Sequence, residues 1–172
     1  GAENSGVDAA LTDLFQRKRV ILTPCVQTDK GFVQQAARFW QGLGGTVSYM
    51  QVEQHDTVLA ATSHLPHIIA FVLVDLLGKK DEQDEIFKYA AGGFKDFTRI
   101  ASSDPTMWQD ICLANKQQII PLIEQLCSEL NSVKKMLQHN QTQALCDTFT
   151  YARNARQRFL DQHNNMTQSI TF

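Results

Sequence analysis

The hydrophobic pattern of the chain changes its period near residue 50. Before that point apolar residues come in short runs. "RVILTP" (19–24) is β-branched, ends at Pro24 and predicts a strand. Thr28 or Asp29 can cap a helix running to about Leu43, with Phe32, Ala36, Phe39, Trp40 and Leu43 on one side. Gly44-Gly45 stops it, and "TVSYM" (46–50) predicts a second strand. Strand, helix, strand suits a parallel crossover at the edge of a sheet. Two strands and one helix cannot bury a sheet alone, so this half reads as the end of something larger. The glycines of "GLGG" (42–45) follow a helix and precede a strand, which is the place of a C-cap. A phosphate loop needs them after a strand, opening a helix.

From Val52 onward the spacing is helical. A segment from about Glu53 to Leu77 is apolar nearly all round in its second half, the mark of a helix buried on every side. "DEQDEIFKYAA" (81–91) predicts a second helix with an acidic first turn. In "DPTMWQDICLANK" (104–116) Asp104 takes the N-cap and Pro105 the first helical position. Ile119, Ile123, Leu126, Leu130, Val133 and Leu137 form a stripe that Pro121 should kink or restart. The last helix is expected from about Thr142 to His163, with Leu145, Phe149, Ala152 and Phe159 on one face. A helix as greasy as 65–77 needs more cover than these neighbours supply, and a partner subunit is the natural cover.

Composition changes this picture little. The 172 residues are 43% hydrophobic and 20% charged, with net charge −2. No global basic field recommends nucleic acid or an anionic membrane. Arg153, Arg156 and Arg158 point around a helix and read as a solvated face. Cysteines at 25, 112, 127 and 146 form no CxxC pair, which suits reduced, buried thiols. The longest apolar run, Ile68 to Val74, ends at Asp75, well short of the ~18 residues a membrane span needs. "GAENSGVDAA" is no signal peptide, and the expectation is a soluble, cytoplasmic protein.

Two stretches could carry chemistry. "QHDTVLAATSHLPHIIAF" (54–71) holds His55, Asp56, His64 and His67, with Pro66 loosening the backbone between the last two. Three readings stand open for these imidazoles: a buried hydrogen-bonded pair, an anion or polar-substrate site, or a metal site of the HD phosphohydrolase kind. Carboxylates are scarce around His64 and His67, and no HExxH is present. The second stretch, "AGGFKDFTRIASSDPTMW" (91–108), is unlike a plain helix, which would not begin at Gly92-Gly93. Lys95, Asp96 and Arg99 are either a surface ion pair or a guanidinium that Asp96 orients toward a carboxylate. Trp108 is a core aromatic or a ligand contact.

"ATSHLPHIIAFVLVD" (61–75) followed by "AGGFKDFTRIASSDPTMWQDICLANK" (91–116) resembles the helical domain of prephenate dehydrogenases, with arogenate dehydrogenases as close relatives. The opening "GAENSGVDAALTDLF…RVILTP" resembles the end of that family's nucleotide-binding domain. The likeness runs to about residue 137. It implies a mainly α fold, a helical dimerisation domain preceded by a short α/β remnant of a Rossmann-type domain. The boundaries it suggests are 1–50 for the remnant, 51–165 for the substrate-binding and dimerisation domain, and 166–172 for a tail leading toward a further domain.

The resemblance implies NAD(P)-dependent oxidative decarboxylation of prephenate to 4-hydroxyphenylpyruvate, on the way to tyrosine. Prephenate, or arogenate in its place, is anionic and needs cations, while hydride leaves the carbinol carbon and the ring carboxylate leaves as CO2. Arg99 matches the carboxylate-binding arginine, and His67 a substrate-site histidine with His64 beside it. Glu3 and Asp96 match acidic residues near the pocket. Gly92, Gly93 and Trp108 match the segment that reaches the site at the dimer interface, and Lys95 stands where arginine is frequent. The family's catalytic histidine lies in HP-x-A-G, whose glycine matches Gly1, so it falls upstream of this chain. GxGxxG is absent as well. The expectation is a carboxy-terminal part with no catalytic residue, no bound NAD or NADP, no metal, no nucleic acid and no membrane, which dimerises with its copy. Some relatives are fused to another aromatic-pathway enzyme such as EPSP synthase. The alternatives are a non-catalytic dimerisation module or the phosphohydrolase.

Overall fold

The computed structural model describes residue 7 and residues 10–168, with side chains as far as 162. The elements are β1 (Arg19–Leu22), α1 (Lys30–Gly42), β2 (Thr46–Tyr49), α2 (Val52–Leu59), a π turn (Ala60–His64), α3 (Leu65–Gly78), α4 (Gln83–Lys88), α5 (Gly92–Thr98), a 3-10 turn (Arg99–Ser102), α6 (Pro105–Ala114), α7 (Lys116–Gln138) and α8 (Thr142–Gln168). The fold is mainly helical, with a small α/β start. Two compact units divide it, Gly1–Ile123 and Glu124–Phe172.

In the first unit β1 and β2 pair in parallel, Arg19 opposite Thr46 and Leu22 opposite Tyr49, with α1 as the crossover. Asp29 caps α1, its carboxylate accepting from the N–H groups of Gly31 at 2.7 Å and Phe32 at 3.2 Å. At the other end Gly44 N–H donates to the Gln41 carbonyl and Gly45 N–H to the Trp40 carbonyl, a Schellman closure. Gly44 sits at φ +84°, which glycine adopts without strain. The glycines therefore end a helix, as their order predicts. The helix face differs from the predicted stripe. Val33, Ala36, Ala37 and Trp40 turn inward, while Phe32 and Phe39 are exposed. A two-stranded sheet covers only a narrow arc of a helix, and the seven-residue-spaced Phe pair lies outside it.

Helices α2 and α3 join through the π turn into one helical run, Val52–Gly78, long and apolar enough to cross a bilayer by length and composition alone. The short apolar run counted in the sequence understates it, because the helix continues through His64, Pro66 and His67. It is not buried on every side. Ala60, His64 and Ala70 are buried, whereas Val72 and Leu76 are 59% and 57% exposed. The 3-10 turn, α5 and α4 pack against α3.

Other local expectations meet the structure unevenly. Asp104 caps α6, accepting from Thr106 N–H at 2.8 Å and Met107 N–H at 3.0 Å. Helix α4 is shorter than its acidic pattern suggests. Helix α5 does begin at Gly92-Gly93. First-turn N–H groups have no intrahelical acceptor to lose, so glycine is inexpensive there, and Phe94 and Phe97 supply the apolar residues. Pro121 lies within an unrestarted α7. Cys25, Cys127 and Cys146 are exposed and only Cys112 is partly covered, so the thiols are free but mostly not buried.

In the second unit α7 closes as α1 does, with Asn140 at φ 50° and Gln141 N–H donating to the Met136 carbonyl at 2.8 Å. Helix α8 runs past the predicted end at His163 to Gln168, and residues 169–172 of the expected tail lie outside the described ones. Leu137, Phe149 and Phe159 are exposed along these helices, and Arg156 and Arg158 lie over the rings of Phe159 and Tyr151.

Gly44→Ala forces a side chain into the left-handed region. It should cost about 1–2 kcal/mol of unfolding free energy. The added Cβ also meets the Gln16 side chain, which can swing away, so the cost is that of the backbone. Denaturant unfolding of the variant checks this, and an unchanged midpoint contradicts the Schellman assignment.

Candidate functional site

The π turn lies where an apolar helix must carry two imidazoles. Leu65 N–H donates to the Ala60 carbonyl five residues back, which widens the turn that ends at His64. Pro66 follows it with no N–H to offer. His67, one turn further, sets its Nδ1 2.8 Å from the Ser63 carbonyl. A carbonyl only accepts, so Nδ1 carries the hydrogen, and neutral His67 has its lone pair at Nε2.

Helix α6 brings an indole against this face. The Trp108 ring stacks on His67 with centroids 3.7 Å apart and planes 19° apart, and meets His64 edge-on at 6.1 Å. Trp108 is buried, and its Nε1–H has no hydrogen-bond partner among the described residues; the same holds for the buried Ser103 hydroxyl. An unpaired buried donor costs about 1–3 kcal/mol.

Asn115, between α6 and α7, completes the cluster. Its Nδ2 lies 2.8 Å from the Asp56 carbonyl and 3.2 Å from His64 Nδ1. His64 is buried, and burial, then the neighbouring His55, lowers its pKa; Asp56 opposes this and His67 adds to it. His55 and Asp56, which raised the thought of a metal, bond each other at 3.0 Å. Among the described residues no three His, Cys, Asp or Glu side chains gather as a metal site would require.

The structure thus brings together His64, His67 and Trp108. Arg99 opens the 3-10 turn packed on α3, and Gly92, Gly93, Lys95 and Asp96 belong to α5, which also packs there. Arg99, Lys95 and Asp96 are exposed. Asp96 lies near the end of α5 and Arg99 at the start of the 3-10 turn, so the three-residue step between them crosses the point where the helix tightens. Ion pairs join His55 to Asp56 and Lys79 to Asp75. Glu3 lies outside the described residues. Asn115 and Ser103 escaped sequence reasoning, because nothing in "LANK" or "ASSDP" marks a long-range contact.

Residues 51–151 match the family model described as "Prephenate dehydrogenase, dimerization domain", and residues 1–49 match "Prephenate dehydrogenase, nucleotide-binding domain". The chain is 36% identical to a cyclohexadienyl dehydrogenase of Zymomonas mobilis over 166 residues, 95% of this chain and 57% of that protein. It is 37% identical to a prephenate dehydrogenase of Bacillus subtilis over 157 residues, 91% of this chain and 42% of the other. The crystal structure of prephenate dehydrogenase from Aquifex aeolicus, in complex with hydroxyphenyl propionate and NAD+, is similar at TM-score 0.81 and 42% identity, covering 92% of this chain and 56% of that one. This chain spans about half the length of these relatives.

Two outcomes test the geometry. A Cβ on Gly93 meets nothing within 4 Å. Gly93→Ala should therefore fold at least as stably as the parent chain by thermal denaturation, and any loss of ligand binding would come from outside this chain's own packing. His64 has its folded pKa below the ordinary 6.5, so the unfolded chain binds its proton at higher pH than the folded chain does. Stability then falls as pH drops through the interval just below 6.5 and levels off under the folded pKa. Unfolding free energies across that interval should decline less steeply in His64→Gln, and equal slopes would contradict the burial.

Proposed function

The chain belongs to the prephenate dehydrogenase family, and we propose that its helical part, 51–165, supplies substrate binding and dimerisation to an enzyme that converts prephenate to 4-hydroxyphenylpyruvate with NAD or NADP. Residues 1–50 are then the end of its nucleotide-binding domain, and the residues from 166 a tail. The observation that carries the reading is the cluster of His64, His67 and Trp108 on a widened helical turn, beside the turn that bears Arg99.

The substrate's chemistry matches these groups. A dianion needs donors, and Arg99 offers a planar fork for one carboxylate, with Lys95 as a second cation on α5. The buried indole N–H of Trp108 is a further donor whose desolvation an acceptor would offset. His67, with its hydrogen at Nδ1, turns a lone pair at Nε2 toward a hydroxyl or donates once protonated. Asp96, Glu3, Gly92 and Gly93 complete the proposed surroundings.

We assign the dinucleotide's pyrophosphate to no helix start here, because it needs the glycine-rich turn GxGxxG between a strand and a helix, and the sequence holds none. At α1, the crossover helix, the Asp29 carboxylate also takes the first N–H groups and would repel phosphate. No hydride step is assigned to these residues, and this chain's contribution is to bind and orient.

The exposed Val72, Leu76, Leu113 and Ile120 support a homodimer, with each copy covering the other's helices. Such an interface should bury roughly 2,000 Å² or more in total. Sedimentation at micromolar concentration should give a dimer, and a monomer would overturn that part of the reading. In the enzyme that carries this chain, Arg99→Ala should lower kcat/KM for prephenate about 30- to 1,000-fold, equivalent to about 2–4 kcal/mol. Kinetics within twofold of the parent would remove Arg99 from the site.

A further inference from the structure

Asn115 is held by backbone on both sides. Its N–H donates to the Ile111 carbonyl at 3.1 Å as α6 ends, and its own carbonyl accepts from Gln118 and Ile119 as α7 begins, at 3.1 and 3.2 Å. The residue is 8% exposed. The Asp56 carbonyl can only accept, so the amide atom beside it is the nitrogen with its two hydrogens. One hydrogen goes to that carbonyl. The other meets Nδ1 of His64, which must then present its lone pair.

We infer that Asn115 is a positioning residue: by donating one amide hydrogen to the Asp56 carbonyl and the other to His64 Nδ1, it holds His64 as the neutral Nε2–H tautomer, a fixed hydrogen-bond donor. His67 holds the opposite tautomer, with Nδ1–H on the Ser63 carbonyl. The two imidazoles, both packed on Trp108, are therefore different reagents. One gives a hydrogen bond at Nε2 and the other receives one there. That this difference serves substrate binding rests on the functional reading above; the tautomers themselves do not.

Burial supports the neutral form. The titratable groups acting on His64 are His55, Asp56 and His67, while α6 and its junction bring only the neutral Trp108 and Asn115. Asp56 alone favours the imidazolium, and its carboxylate is engaged by His55. Hydrogen bonding from Asn115 to Nδ1 acts with burial, since an imidazolium has no lone pair to accept it.

The test is nitrogen-15 NMR of the imidazoles in the whole 172-residue chain, with Asn115→Asp as the isosteric variant. In the parent chain His64 should show a bare Nδ1 and a protonated Nε2 at neutral pH, and His67 the reverse. A protonated Nδ1 on His64 would overturn the inference without any variant. In Asn115→Asp the side chain has no hydrogen to give, so His64 should acquire one at Nδ1 and its pKa should rise by on the order of one unit or more. An unchanged tautomer and pKa would overturn the inference as well. Titration with 4-hydroxyphenylpropionate separates the two claims. If the parent binds it and Asn115→Asp binds it at least tenfold more weakly, Asn115 positions His64 for the ligand. If both bind equally after the tautomer has switched, the positioning role falls. No binding by the parent would sink the functional reading and leave the tautomer result standing.

Discussion

A polar ring inside an apolar helix must find a partner for each of its nitrogens or leave them wet, and the first unit is organised around that constraint. His64 and His67 lie on the greasiest segment of the chain. Their partners come from three different places: the helix's own Ser63 carbonyl, the stacked indole of Trp108 and the amide of Asn115. Each partner ties a further element down. Trp108 fixes α6 against the run 52–78, and Asn115 anchors the start of α7 to α2 through the Asp56 carbonyl. Thr57 adds a contact with Gln118 at 3.3 Å one turn along. Polar satisfaction, more than apolar area, sets which face of each helix meets its neighbour, because little of the apolar surface here is covered within one chain.

What was legible in the sequence was local. Asp29 and Asp104 announced two helix starts, because capping needs only N–H groups two and three residues away. Gly44 announced a stop by following an apolar run and preceding a β-branched one. The parallel crossover followed from those signals. His64, His67 and Trp108 were legible as candidates through a family likeness, and the structure adds that they touch. The failures share a cause. The His64–Asn115 contact joins residues 51 apart through a π turn that leaves no trace in hydrophobic periodicity. The inward face of α1 depended on how little sheet lies beneath it. The apolar residues of 65–77 were recognised, but periodicity tells that a surface wants cover and not whether its own chain provides it.

The π turn has a consequence for how this segment can vary. Such a turn is an α-helix holding one residue more than its regular register allows. Inside that turn each residue advances the helix by less than the regular ~100°, so most of the extra residue's rotation is absorbed where it occurs. The faces before and after the turn stay nearly in line, and His64 reaches Asn115 while His67 stacks on Trp108. A residue added or removed elsewhere in Val52–Gly78, with no such turn to absorb it, would rotate everything beyond it by about 100° relative to everything before it. The exposed line through Val72 and Leu76 would then face a new direction.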